Sequence, residues 1–200
     1  MPDSPEAETI APVRRITAAV LGDLRAIDGA LYAAVAATST PTLDRVLRRL
    51  SRAADHSKIS LTVAVALAVV PGRPRNAALA GAGSVALASA LANLVGKRVV
   101  RRRRPDREQV VAGRYVPMPR SASFPSGHTA SATAFATAVG VVLPPAAIPL
   151  GALAVAVGYS RVHTGVHYPG DVVAGAVLGF AAAAASLAVA HVPPTSLPRR

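Results

Sequence analysis

Cysteine is absent from the 200 residues. That excludes a disulfide framework and any thiolate metal site. Charge is scarce as well: Asp, Glu, Lys and Arg make up 16% of the chain, against about 25% in an ordinary soluble domain. The scarcity falls on acids and on lysine. Ten carboxylates stand against 22 basic side chains, and only Lys58 and Lys97 among the latter are lysine. No paired acidic set, HExxH or similar ligand spacing is left to hold a metal, so no metal or other cofactor is expected. The first ten residues, MPDSPEAETI, lack the basic start and apolar core of a secretory signal. Internal helices are therefore expected to direct membrane entry. A hydrolase built on Ser126 and His128 finds little support, because the strand–turn–helix context of GxSxG is missing.

What is present is apolar surface. Hydrophobic residues are 52% of the chain, and with so few charges this points to an integral membrane protein. The expected fold is all-α, a membrane helical bundle of about five to six helices with amphipathic N-terminal helices. Residues 1 to about 11 read as a disordered tail. Residues 13–37 read as one or two amphipathic helices, with Arg14, Arg15, Asp23, Arg25 and Asp28 on polar positions. Residues 43–54, LDRVLRRLSRAA, repeat Leu43, Val46, Leu47 and Leu50 at helical spacing with arginines opposite, as in a helix lying on a membrane surface. Four or five segments are candidates to span a bilayer, which takes about 20 apolar residues each. Residues 59–70 are short and are expected to end a longer helix beginning near Ser51. Residues 76–96, 128–143, 147–159 and 172–192 follow. The expected units are 1–42, a tail with an interfacial segment; 43–192, the main domain; and 193–200, a C-terminal tail. Small residues on the spans, such as Gly175 and Gly179, let helices approach closely, either within the chain or between the copies of a homo-oligomer.

Counting crossings puts every unusual polar cluster on one side of the membrane. The loop 97–126, the start of the helix at His128 and the stretch SRVHTGVHYPGD (160–171) all fall there. Ionisable groups beside apolar spans cost free energy, so such a gathering marks a site. Lys97, Arg104 and Arg161 offer fixed positive charge and forked donors that match phosphate oxygens. Pro125-Ser126-Gly127-His128 opens a helix whose N–H groups and positive dipole end favour an anion. His167 and Asp171 are four apart, with Pro169 in the first turn of a helix, so the carboxylate can orient the imidazole. The other imidazole nitrogen is then a nucleophile, and His128 can protonate a leaving oxygen. Arg101, Arg102 and Arg103 read as anchors for acidic lipid heads. His163 reads as structural, because the sequence places no carboxylate to orient it. His56, beside Asp55, reads the same way.

Taken together, the three clusters resemble the signature of the type 2 phosphatidic acid phosphatase (PAP2) superfamily. KxxxxxxRP is met at Lys97 to Pro105, PSGH at Pro125 to His128, and SRxxxxxHxxxD at Ser160 to Asp171. The resemblance covers about residues 43–190. It implies a membrane lipid phosphatase that works without metal. The catalytic residues would be His167 as the site of a phosphohistidine, Asp171 orienting it and His128 as proton donor. Lys97, Arg104, Ser126, Gly127 and Arg161 would hold phosphate. The implied partners are a lipid phosphate (phosphatidate, phosphatidylglycerophosphate or a polyprenyl phosphate) and membrane lipids, with no nucleic acid. The implied location is a bacterial plasma membrane, crossed several times. Two rivals stand beside this reading. A non-catalytic basic membrane protein that binds anionic lipid leaves His128, His167 and Asp171 without a purpose. A vanadate-dependent haloperoxidase shares the motifs, but such enzymes are soluble.

Overall fold

The computed structural model describes residues 5–108 and 110–190. The described chain is helical, and its long helices alternate in direction. Helix α1 is Pro5–Ala37, α2 is Pro41–Ala53 and α3 is Lys58–Ala68. Helix α4, Arg73–Ala90, passes through a π-helical turn, Leu91–Gly96, into the short α5, Lys97–Val99. After an extended loop come α6 (Gly127–Val142), α7 (Ala147–His163) and α8 (Pro169–Val189).

Helix α6 sits in the middle and packs against α3, α4, α7 and α8. Its alanines explain how. Ala130 and Ala134 meet Ala88, Ala92 and Ala182 in one cluster, while Phe135 and Val139 meet Ala64, Ala77, Ala78 and Val85 in another. Side chains this small bring backbones close, which is how membrane helices gain contact without a hydrophobic drive. The Gly175 and Gly179 face is used inside the chain. A Cβ on Gly179 would lie 2.5 Å from the carbonyl oxygen of Ala130, and one on Gly175 would lie 2.5 Å from that of Ser126. Backbone cannot swing aside as a side chain can. Gly179→Val is therefore expected to destabilise the protein by about 1–3 kcal/mol, read as a lower thermal unfolding temperature in detergent. Gly151→Ala, where a Cβ meets nothing within 4 Å, is the matched control and should not lower it.

Among the described residues, three helices are long and apolar enough to cross a bilayer: Arg73–Val99, Pro144–His163 and Pro169–Val189. Their outward faces carry exposed Val155, Val173, Val177 and Phe180, as hydrocarbon contact requires. Helix α6 has 16 residues and α3 has 11; α6, the shorter partner of these three, is sheathed by its neighbours and keeps the alternation of crossings expected from sequence. The expected helix running on from Ser51 is also broken. His56 and Ser57 both take φ of 57°, a left-handed conformation that costs a residue with a Cβ, and the chain turns there. Finally, α1 begins at Pro5, where a tail to about residue 11 was expected. Residues 1–4, and the expected tail 193–200, lie outside the described residues.

The two ends of the bundle differ. At one end Arg73 donates to the carbonyl of Val142 at 3.0 Å. At the other, the loop 100–126, the start of α6 and the turn 164–168 come together, which is where every motif lies.

Candidate active site

His167 stands in the turn between α7 and α8, 2% exposed. Its Nδ1 edge faces protein: Asp171 Oδ2 is 3.5 Å away and Ser123 Oγ is 3.4 Å away. Ser123 also donates to Asp171 Oδ2. Asp171 accepts the N–H of Tyr168 at 2.9 Å, so the carboxylate is fixed by the first turn of α8 as expected of a residue at that position. A carboxylate against Nδ1 keeps the proton on that nitrogen and leaves Nε2 with its lone pair. Nε2 faces Arg104 Nη1 at 3.3 Å. Burial above all, and then the nearby Arg104 and Arg161, hold the imidazole neutral, lowering its pKa to about 4 against the pull of Asp171. A buried, neutral imidazole with one nitrogen occupied and the other open towards guanidinium is the arrangement that a nucleophile for an anionic centre requires.

The positive groups converge on the same place. Arg104 is held by the carbonyls of Ser121, Ala122 and Val166 at 2.9, 3.2 and 2.7 Å. Arg161 is 1% exposed and donates to Ser51 Oγ at 2.6 Å. Its Nε is buried without a hydrogen-bond partner among the described residues. Orphaned buried donors are rare because each one costs about 1–3 kcal/mol, and an anion oxygen would satisfy this one. Lys97 donates to Asn93 Oδ1 at 2.6 Å, with Arg104 as its charged neighbour.

The two helix starts that face the site divide the work. The N-terminus of α8 is filled by protein: Asp171 caps Tyr168, and Asp28 Oδ1 accepts the N–H of Gly170 at 2.6 Å. The N-terminus of α6 has no side-chain cap. Ser126 is not spare, since its N–H donates to the carbonyl of Asp171 at 2.9 Å and its Oγ accepts from Thr129 at 3.0 Å. That ties α6 to α8 and leaves the N–H groups that follow for an anion. At Gly127 a Cβ would meet only Ala92, at 3.9 Å, so protein packing does not demand the glycine.

His128 lies at the rim, 22% exposed at its side chain, with Nε2 2.8 Å from Asp55 Oδ1. Asp55 also lies 3.7 Å from Arg161. One carboxylate thus links the second motif to the third.

Some residues of the site were missed from sequence. Arg102 is no lipid anchor: it lies 3.0 Å from Asp171 and 2.6 Å from Asp28. The signal was present, because extended chain alternates its faces. If Arg104 points inward, so does Arg102, while Arg101 and Arg103 are the exposed pair. His163 is structural as read, but a carboxylate does orient it: Asp44, 2.9 Å from Nε2. Asp44 also pairs with the fully buried Arg114 at 2.8 Å, which closes the C-terminal end of α1 through the carbonyl of Val35 at 3.1 Å. Ser123, Asp55, Ser51 and Asp28 carried no signal of their own.

Residues 77–192 match the PAP2 superfamily. The chain belongs to that superfamily. It is 40% identical over 144 residues to the decaprenylphosphoryl-5-phosphoribose phosphatase of Mycobacterium tuberculosis, covering 70% of this chain and 76% of that one. It is 37% identical over 100 residues to the lipid A 1-phosphatase of Rhizobium etli, covering 48% and 43%. In three dimensions it is similar to Aquifex aeolicus LpxE, with a TM-score of 0.65, 25% identity and coverage of 79% and 93%. It also shares the fold of the transmembrane PAP2 type phosphatidylglycerolphosphate phosphatase of Bacillus subtilis, with a TM-score of 0.63, 23% identity and coverage of 84% and 87%. The expected family, the all-α membrane architecture and the phosphatase class are borne out. Asp28, Asp44, Ser51 and Asp55 all reach the motif cluster from before residue 77, outside the matched residues.

A long apolar groove of about 1140 Å³ runs beside α6, α7 and α8 under the end of α1. None of His128, His167, Arg104 or Arg161 lines it. The groove and the polar cluster are separate features of the structure.

Proposed function

We propose that this PAP2 protein is a membrane lipid phosphatase acting through a phosphohistidine on His167. The substrate class is a lipid phosphomonoester or diphosphate, and the polyprenyl-linked sugar phosphate named for its mycobacterial relatives heads the candidates, ahead of phosphatidylglycerophosphate and phosphatidate. The observation that carries the reading is His167 itself, with Nδ1 turned to Asp171 and Nε2 turned to Arg104.

The steps follow from these positions. The phosphoryl group binds with its oxygens on Arg104, Arg161, Lys97 and the first N–H groups of α6 at Gly127 and His128, with Ser126 fixing that turn. Nε2 of His167 attacks phosphorus, and the bond to the lipid oxygen breaks. That oxygen leaves with a proton from His128. Asp171 holds the imidazole in the attacking tautomer and faces the positive charge that develops on it. His128 then takes a proton from water, the water oxygen attacks phosphorus, the P–N bond breaks and phosphate departs. Fixed donors aimed at charge that builds up in the transition state supply most of the acceleration. We place the protein in a bacterial plasma membrane as a multi-pass protein. We also take the functional unit to begin before residue 43, because Asp28 reaches the site.

Purified protein in detergent or vesicles is expected to release inorganic phosphate from at least one lipid of that panel. The rate should be unchanged by EDTA and inhibited by vanadate, a phosphate mimic. No release from any member contradicts the proposal, and so does activity restored only by a divalent metal. Bromide oxidation with bound vanadate points to the haloperoxidase class instead.

A further inference from the structure

Among the described side chains of helix α1, burial falls in its last three turns. Residues 14–27 are exposed throughout. Then Asp28, expected on a solvent-facing polar position, is 8% exposed, and Tyr32 and Ala36 are buried one and two turns later. They do not join the main core. They close over the start of α8, directly behind His167. The Tyr32 ring packs edge-on to Tyr168 with centroids 5.5 Å apart, and its hydroxyl donates to the carbonyl of Asp106 at 2.7 Å.

The contacts of Asp28 run in series. Its Oδ2 is 2.6 Å from Arg102 Nη2. The other fork of that guanidinium, Nη1, is 3.0 Å from Asp171 Oδ1. Arg102 is kept in place from a third side by the face of Tyr168, 4.0 Å from its carbon. The two oxygens of Asp171 therefore have separate partners: Oδ1 takes Arg102, while Oδ2 takes Ser123, the N–H of Tyr168 and the Nδ1 edge of His167. The glycine in this turn fits the same arrangement. A Cβ on Gly170 would lie 2.9 Å from Asp28 Oδ2, so the carboxylate comes this close only because residue 170 has none.

We propose that Asp28 and Arg102 are positioning residues for the nucleophile: α1 holds Arg102, Arg102 holds one oxygen of Asp171, and the other oxygen is thereby aimed at His167. The inference rests on the phosphatase reading for its kinetic consequences. It goes beyond the three motifs, since Asp28 lies outside the matched residues and Arg102 occupies an unspecified position within KxxxxxxRP. The physical reason is angular. A carboxylate held by one oxygen alone can rotate about its last bond. Held at both, it presents a fixed edge to Nδ1, and misplacing a reacting group by about 1 Å can cost about 10²-fold in rate.

Charge gives a second signature. The charged groups around the imidazole are Arg104 from the loop, Arg161 from α7, His128 from α6 and Asp171 from α8, with Arg102 and Asp28 behind Asp171. Removing Arg102 leaves Asp171 with less of its charge answered, so it holds the imidazolium form of His167 more strongly. The acid limb of kcat/KM should then move to higher pH.

The test uses the full chain with Arg102→Gln, Asp28→Asn and the double variant, each checked for monodispersity and thermal unfolding, on a lipid that the wild type hydrolyses. Arg102→Gln should lose about 10²-fold in kcat with KM little changed, and its acid limb should rise. Asp28→Asn should lose less, and the double variant should be no worse than Arg102→Gln alone, because the two act through one path. Arg102→Lys should recover only part, having a single point of contact. The inference is overturned if an active wild type is matched by both single variants, if the losses sit in KM alone, or if they multiply. Nitrogen NMR of histidine-labelled protein provides a reading without turnover. The His167 titration should move upward in Arg102→Gln, and an unmoved titration overturns the inference even in a protein that hydrolyses nothing on the panel.

Discussion

His167→Asn lowers lipid phosphatase turnover by at least about 10⁴-fold, the scale seen when a covalent nucleophile is removed, while substrate binding persists. The binding survives because Arg104, Arg161 and the uncapped start of α6 are untouched by the change. The same residue sets the low-pH behaviour. Attack requires the neutral imidazole, and burial holds its pKa at about 4, below the ordinary 6.5. The enzyme's acid limb on kcat/KM therefore falls near pH 4, and at pH 6 the nucleophile is already deprotonated. Stability follows the same sign. The unfolded chain takes up the proton near pH 6.5 and the folded one only near pH 4. The neutral histidine thus favours the folded state above pH 6.5, by an amount lost as pH falls between those values, about 3 kcal/mol in all. An acid limb of the wild type centred near 6.5, matched by a His167 titration at that pH, would contradict the burial argument.

His128→Gln gives the second large effect, and its size depends on the leaving group. For a lipid alkoxide, which must leave with a proton, the loss is about 10²–10⁴-fold, the ordinary worth of general acid catalysis. For 4-nitrophenyl phosphate, whose leaving group is stable as an anion, the loss in the first step is small. Asp55→Asn follows the same pattern at lower amplitude, because Asp55 holds Nε2 of His128 at 2.8 Å and faces Arg161 across 3.7 Å. Steady-state rates on the two substrates decide it. Equal losses on both would assign His128 to phosphate binding and remove it from the proton path.

The motifs were legible because each is local. KxxxxxxRP, PSGH and SRxxxxxHxxxD lie at helix ends, where a few residues of spacing fix geometry. Alternating crossings of the membrane then bring the three ends to one side, whatever the details of packing. The helix start before Asp171 was legible for the same reason: Pro169 and a carboxylate two residues later make a first turn. What failed to show was non-local or conformational. Asp28 follows Arg14, Asp23 and Arg25 on polar positions of one amphipathic segment, and nothing in that spacing distinguishes a buried acid from a solvated one. Asp44 lies too far from His163 in sequence for the pair to be inferred. The break at His56 and Ser57 has no glycine to announce it. It stands beside the contact of Asp55 with His128, a long-range pairing that local propensity does not register. Arg102 could have been placed by alternation from Arg104. The reading as a lipid anchor treated the arginine run as one patch.

The central claim is a covalent one, and trapping the intermediate tests it most directly. Protein mixed with a lipid substrate labelled in the transferred phosphate is quenched in alkali within a turnover and digested. One labelled peptide is expected, carrying phosphate on His167, lost in acid, absent from His167→Asn and more abundant when hydrolysis is slowed. Label on a serine or carboxylate, or none at all in an enzyme turning over on the same lipid, contradicts it.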